Sequence, residues 1–387
     1  MKPLKPQEQI VKALQFVQGE IRYLGIELGV NSHQPHDPDE VFKNRFGDCK
    51  DKTLLLIAIL EKLGITAHPA LVSTFGAVNL PNELPSPIEF NHVITRVESD
   101  DQVYWLDPTR SLQSGALDRL GYRSYDNALV VGHPYLALVE MPKTAQQVAE
   151  IRTREYFNVI AYEAPVDYRI VTEYSGIEAE YIHSQFITQG QTTMARKFLN
   201  YMNRIYPNLQ AGAPLTFEYD SEQNIATVVE SYRLTDFFRT EPERLLADIY
   251  PYSIAEYFTL PTTVNRKTPL GHIYPIKVMH QSYISYPEWI KMSLFNNTES
   301  IDTPYFSLSF SEDYRDRAII TSYLYESKGA FIPVKDVPEH IAKLRKAKNS
   351  LAKVYEITYT KNQTEQTMGT FIEHLNKHID RITGDRL

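Results

Sequence analysis

Between Gln7 and Leu24 the apolar residues Ile10, Leu14, Val17, Ile21 and Leu24 recur at spacings of three and four, which predicts an amphipathic helix. A loop follows that contains Gly29, Asn31, Ser32, Pro35 and Pro38, and a short helical stretch is expected from Asp39 to Asn44. The run TLLLIAILEKLG is apolar almost all round, so it predicts a core helix, with Asp48 as its N-cap and Gly64 at its C-terminal end. Strand-like runs come next, at Thr66 to Ser73, Glu89 to Glu98 and Gln102 to Asp107, and Pro81, Pro85 and Pro87 break the chain between the first two. A helix followed by antiparallel strands predicts an α+β domain.

Pro142 to Gln147 is polar and loop-like, and the pattern changes beyond it. From Ile151 to about Tyr325 the chain alternates, as in YRIVTEYSG, LTFEYDSEQ, ATVVESYRL and YFSLSFSED, with the Tyr, Val, Thr and Phe that strands favour. Helical patterns interrupt it at Thr192 to Ile205 and at Pro242 to Tyr257, and Val337 to Tyr355 reads as a closing helix. The expected organisation is a core over 1–142, a β-rich α+β domain over 148–335 and a helical tail over 336–387, with no fixed-period repeat.

A length of 387 residues exceeds one ordinary hydrophobic core and fits two or three domains. With 43% hydrophobic and 23% charged residues, the composition predicts a folded chain and argues against disorder. The formal charge of -8, without a long Lys/Arg block, argues against nucleic acid as a partner. The longest apolar run, Leu54 to Leu60, is far shorter than the ~20 residues a spanning helix needs, so no membrane span is expected. The amino-terminal MKPLKPQEQIVKAL has no secretory signal pattern, so the chain as written is expected in the cytoplasm, or in the periplasm if it is a shortened form of an exported protein. The single cysteine, Cys49, excludes an internal disulfide.

A lone cysteine at the start of a core helix is ordinarily a small buried hydrophobe. Here Asp48, Lys50, Asp51 and Lys52 surround it with charge, and a helix N-terminus favours a thiolate through partial positive charge and unpaired N–H groups. Cys49 is therefore the candidate nucleophile. In FNHVITRV, alternation puts His92, Ile94 and Arg96 on one strand face, and the polar segment Glu98 to Gln102 suits a turn into VYWLD. A loop symmetric about Ser99 and Asp100 pairs residues whose numbers sum to 199, which sets His92 opposite Asp107. Directly opposed side chains are ~5 Å apart at Cβ, within reach of an imidazole–carboxylate bond. One ring nitrogen is then held by Asp107, and the other is free to take the thiol proton.

The stretches IRYLGIELG, FGDCKDKTLLLIAILEKLGITAHPALV, FNHVITRV and YWLDPT resemble the core of bacterial transglutaminase-like proteins, in the superfamily of animal transglutaminases and peptide N-glycanases. The resemblance spans roughly residues 7 to 132 and rests on G-D-C-K-D with a downstream N-H-V and W-x-D-P in the order Cys, His, Asp. It implies a papain-like core in which Cys49, His92 and Asp107 act as nucleophile, base and orienting carboxylate. The β-rich remainder is similar to regions following this core in large exported bacterial members. Those members usually carry a further β-rich domain and a signal before the core, which implies a truncated or divergent form here. An oxyanion donor is expected from the backbone N–H of Cys49, and Gln34, in the preceding segment, is the candidate for a second.

Other signals point elsewhere less well. In His33-Gln34-Pro35-His36-Asp37, Pro35 prevents a helical ligand pair, so no metal is expected. Gly25 and Gly29 form no phosphate-binding pattern, no EF-hand loop is legible, and no cofactor is required. The 26 tyrosines are ordinary strand filling, and the sequons at Asn296 and Asn362 matter only in a glycosylating compartment. The expected function is thiol acyl transfer on a protein or peptide amide, with water as acceptor favoured over an amine. The rival is a catalytically silent module that binds a peptide or polysaccharide. Substrate, acceptor and oligomeric state stay open.

Overall fold

The computed structural model describes residues 4–26, 33–74, 80–81, 84–110, 113–122, 125–132, 138–141, 148–162, 164–241, 244–263, 266–287, 290–292 and 297–358. The expected loop residues Gly29, Asn31 and Ser32, the boundary at Pro142 to Gln147, the sequon asparagines Asn296 and Asn362 and the tail beyond 358 lie outside the described residues. The chain is α+β and divides into two compact units.

The first unit comprises Met1–Glu150, Glu173–Gln189 and Glu218–Thr227, so it includes two segments that the sequence pattern assigns to the β-rich region. Helix α1, Pro6–Glu20, starts with a proline whose missing N–H is harmless in a first turn, and it buries Ile10, Leu14 and Val17 on one face. It ends four residues before the expected Leu24, because the next residues form a short strand instead: β1, Arg22–Tyr23. Helix α2, Pro38–Asn44, is capped by Asp37, which accepts from Asp39 N at 2.8 Å. Strand β2, Phe46–Gly47, pairs parallel with β1 and delivers the chain to α3, Cys49–Lys62. Strands β3 Thr66–Val72, β4 His92–Ser99, β5 Gln102–Leu106, β6 Asn127–Val130 and β7 Leu138–Glu140 form an antiparallel sheet in the order 5-4-3-6-7.

Leu14, Leu56 and Leu60 are fully buried in one cluster with Ala67, Val97 and Leu106, which joins α1 and α3 to the sheet. Each such leucine stabilises the unit by about 2 kcal/mol. Ala70, Val72, Ile94, Trp105 and Val130 form a separate cluster. Both clusters draw on β3, β4 and β5, so the strands that carry His92 and lead to Asp107 are held by packed side chains.

The second unit comprises Ile151–Thr172, Gly190–Phe217 and Val228–Leu387. Chain order continues with β8 Ala149–Asn158, β9 Val166–Ser175, α4 Ile177–Gln189, α5 Gln191–Met202, β10 Leu209–Ala211, β11 Thr216–Asp220 and β12 Ile225–Leu234. Then come β13 Phe238–Glu241, β14 Arg244–Ile249, α6 Tyr252–Ala255, β15 Leu270–Gly271, β16 Ile276–Ser285, β17 Lys291–Met292, β18 Thr298–Asp302, β19 Phe306–Arg315, β20 Ala318–Ser327, β21 Phe331–Ile332, α7 Val337–Leu351 and β22 Lys353–Thr358. The large sheet runs 10-12-9-8-16-20-19-18, with β11 beside β12. Along β8 burial alternates strictly, as the sequence pattern predicts. The expected helix from Pro242 to Tyr257 is instead strand β14 and the short α6. Arg-Leu-Leu-Ala-Asp-Ile pairs antiparallel with β22, over a hundred residues away, and this long-range ladder decides against the local helical pattern. The same pairing ends the closing helix at Leu351 and places Tyr355 in a strand. Among the described residues no helix is long and apolar enough to cross a membrane.

Candidate active site

Each residue of Gly47-Asp48-Cys49-Lys50-Asp51-Lys52 has a distinct physical task. Asp48 Oδ1 accepts from Lys50 N at 2.9 Å and Asp51 N at 3.1 Å, and Asp51 Oδ2 accepts from Asp48 N at 3.1 Å, a reciprocal capping box. Gly47 is required because a Cβ there would sit 2.6 Å from Asp51 Cβ. Lys50 Nζ bonds Asp48 Oδ2 at 2.7 Å. Asp51, 2% exposed, also accepts from His36 N at 2.8 Å and meets His36 Nδ1 at 3.0 Å, which ties the segment preceding α2 to the first turn of α3. Cys49 is thus the first residue of a rigidly capped helix, and it is 3% exposed.

Four residues on, on the same helix face, Thr53 Oγ1 donates to Val93 O at 3.2 Å and fastens α3 beside His92. The thiol of Cys49 hydrogen-bonds the His92 ring. His92 Nε2 lies 2.9 Å from Asp107 Oδ2, leaving Nδ1 as the nitrogen available to sulfur. Asp107 Oδ1 accepts from Thr109 N at 2.9 Å and Thr109 Oγ1 at 2.6 Å. Gln18 Nε2 donates to the Asp107 carbonyl at 3.0 Å. The structure therefore brings Cys49, His92 and Asp107 together.

The hairpin differs from its expected register. Thr95 pairs with Leu106 and Ser99 with Gln102, so paired numbers sum to 201, and Asp100 and Asp101 form the turn with φ of 52° and 58°. Two consecutive left-handed residues make the tight hairpin turn whose twist matches the strands. The shift is two residues. Because side chains alternate with period two, an even shift keeps His92 and Asp107 on one side and turns a direct contact into a diagonal one.

Burial alone would lower the pKa of His92, but hydrogen bonds and charge from Asp107 and Cys49 outweigh it and raise the value to about 10. Burial pushes the Asp107 carboxyl up, yet the His92 bond and charge with the Thr109 donors leave it below the usual value. The ring is therefore protonated at neutral pH and the carboxylate ionised. Lys52, which the sequence pattern did not single out, is 1% exposed and donates from Nζ to Ile21 O at 2.5 Å. Burial lowers its pKa to about 8, against the opposing pull of Asp107. A charged residue on the otherwise apolar face of a core helix, three positions after the cysteine, was the signal for it. Thr109 was also legible, as the Asp-x-Thr of a side-chain turn. Gln34 is exposed and forms no hydrogen bond among the described residues, although its segment is anchored through His36.

No family model matches the chain, and no curated protein matches it. The crystal structure of a "putative protease" from Parabacteroides distasonis is similar in fold, with a TM-score of 0.54 and 10% identity, over 92% of this chain and 53% of that one. This chain spans about half the length of that protein. The likeness is one of fold.

Proposed function

We propose that the chain is a thiol acyl-transfer enzyme of transglutaminase-like type, acting on protein or peptide amide bonds. The observation that carries this reading is the hydrogen-bonded series of Cys49, His92 and Asp107 at a capped helix N-terminus. In the proposed reaction the Sγ proton passes to Nδ1, and the imidazolium so formed stabilises the attacking sulfur. Sγ attacks the amide carbonyl carbon, and the carbonyl electron pair moves to oxygen. Collapse of the tetrahedral species breaks the C–N bond, and His92 Nδ1 gives its proton to the departing amine. The neutral ring then takes a proton from water, hydroxide adds to the thioester, and the acid leaves with sulfur restored. Asp107 keeps Nε2 oriented and stabilises the imidazolium. The backbone N–H of Cys49 serves the oxyanion, and Gln34 is the proposed second donor. Hydrolysis is the favoured outcome, in keeping with the protease description of the structurally similar protein.

The test is alkylation of Cys49 by iodoacetamide against pH, in the native chain and in His92→Ala. The reading expects alkylation that is rapid at neutral pH and falls with the substitution. A profile like that of a free thiol, unmoved by His92→Ala, overturns it. Trapping the acyl group on Cys49 and weighing the adduct identifies the substrate.

A further inference from the structure

Asp107 is the first residue after β5, and the loop it begins is closed by a buried polar cluster in the first unit. Gln18 Nε2 donates both to Asp107 O at 3.0 Å and to Gln113 Oε1 at 2.7 Å. Gln113 Nε2 donates in turn to Gly121 O at 2.7 Å and to Glu180 Oε2 at 3.0 Å. Glu180, on α4, is 2% exposed, and four donors converge on it: Gln113 Nε2, Gly121 N at 2.7 Å, Asn224 Nδ2 at 3.1 Å and Arg110 Nη2 at 2.7 Å. Arg110, three residues after Asp107, also reaches Gly121 O at 2.9 Å. Room for this closure depends on Gly121, where a Cβ would lie 2.8 Å from Ile177 N at the start of α4.

A buried carboxylate with four donors holds both ends of the loop that leaves Asp107. Its one counter-charge within the cluster, Arg110, lies next to the residues that fix the Asp107 side chain. The interaction is directional and desolvated, the situation in which removing one partner is felt by the whole network.

We propose that Glu180 is a positioning residue for Asp107, acting through Gln113, Gln18 and Arg110 to hold the carboxylate against His92, so that α4 and the Asn224 turn are working parts of the thiol site. The inference rests on the function proposed above and extends the site to chain segments that follow the sheet by more than 30 residues.

The test is the titration of the His92 ring, followed by NMR of the side-chain nitrogens in the full-length chain. In the native protein the midpoint is expected near 10. In Glu180→Gln, which keeps size and removes charge, it is expected to fall by about one unit or more as the Asp107 contact loosens. Gln18→Met cuts the same path without touching Glu180, and is expected to move the midpoint in the same direction. A purely structural role for Glu180 lowers the melting temperature and leaves the midpoint in place. Unchanged midpoints in the variants, with the native value near 10, overturn this inference alone. A native midpoint near the ordinary histidine value of ~6.5 overturns the proposed function and this inference together. If Glu180→Gln does not fold, Gln18→Met decides.

Discussion

Two of the histidine–carboxylate pairs in this protein lie at nearly the same distance, 2.9 Å for His92–Asp107 and 2.8 Å for His280–Glu155. Both have a nucleophile type at the other ring position: the Cys49 thiol in the first, and Ser253 Oγ, 2.8 Å from His280 Nδ1, in the second. Their surroundings separate them. His280 and Glu155 have no exposed side-chain surface, and Glu155 is further bound by Ser282 Oγ at 2.8 Å and by the Tyr168 hydroxyl. His92 and Asp107 keep 13% of their side-chain surface, and the sulfur is the first residue of a helix. Hydrogen-bond geometry alone does not make a site. The first pair keeps side-chain surface at the solvent and the second is sealed, so only the first can be approached from outside.

Substitutions sharpen this contrast, and the largest effect belongs to the first pair. His92→Ala should lower amide turnover by about a thousandfold or more while the urea midpoint moves little. Glu155→Ala should do the reverse, with a loss of about 3–5 kcal/mol in urea unfolding because it leaves a buried imidazole and hydroxyls without their acceptor. Equal loss of activity and stability in both variants would erase the distinction. Gln34→Ala should reduce kcat by about a hundredfold with KM unchanged if it donates to the oxyanion. An unchanged kcat removes Gln34 from the site.

The smallest effect is a pH dependence. His92, raised to about 10, contributes stability that is complete below the ordinary value of ~6.5 and is lost as pH rises through 10. Lys52, lowered to about 8, acts in the opposite sense, because the unfolded chain binds its proton more tightly between 8 and ~10.4. The two oppose each other above pH 8. Lys52→Met should therefore steepen the fall in urea midpoint over that interval, and a slope equal to that of the native chain would show that the buried ammonium does not titrate there.

The α+β class and the placing of Cys49, His92 and Asp107 near one another were legible, and the register and the long-range pairings were not. Cys49 stood out because charge surrounds it at the start of a core helix, and Asp48 and Asp51 act locally, within one turn. The hairpin was legible in face and missed in register, since the pattern fixes the parity of pairing while Asp100 and Asp101 choose the turn. Strand β14 was misread because its partner, β22, lies more than a hundred residues onward. Glu180 and Asn224 gave no local signal at all. A glutamate in a polar helix reads as solvated until the loop it closes upon is known.

The pair of hydrogen bonds between Asp51 and His36 has one more implication. The carboxylate that caps the cysteine helix is also the mooring of the upstream strand of chain, so tension on that strand is felt at the sulfur. Grafting the hexapeptide from Gly47 to Lys52 onto a foreign helix would carry over the thiol and its cap, yet leave the mooring behind. A transplanted motif without a counterpart of His36 should hold its cysteine less steadily than the parent does.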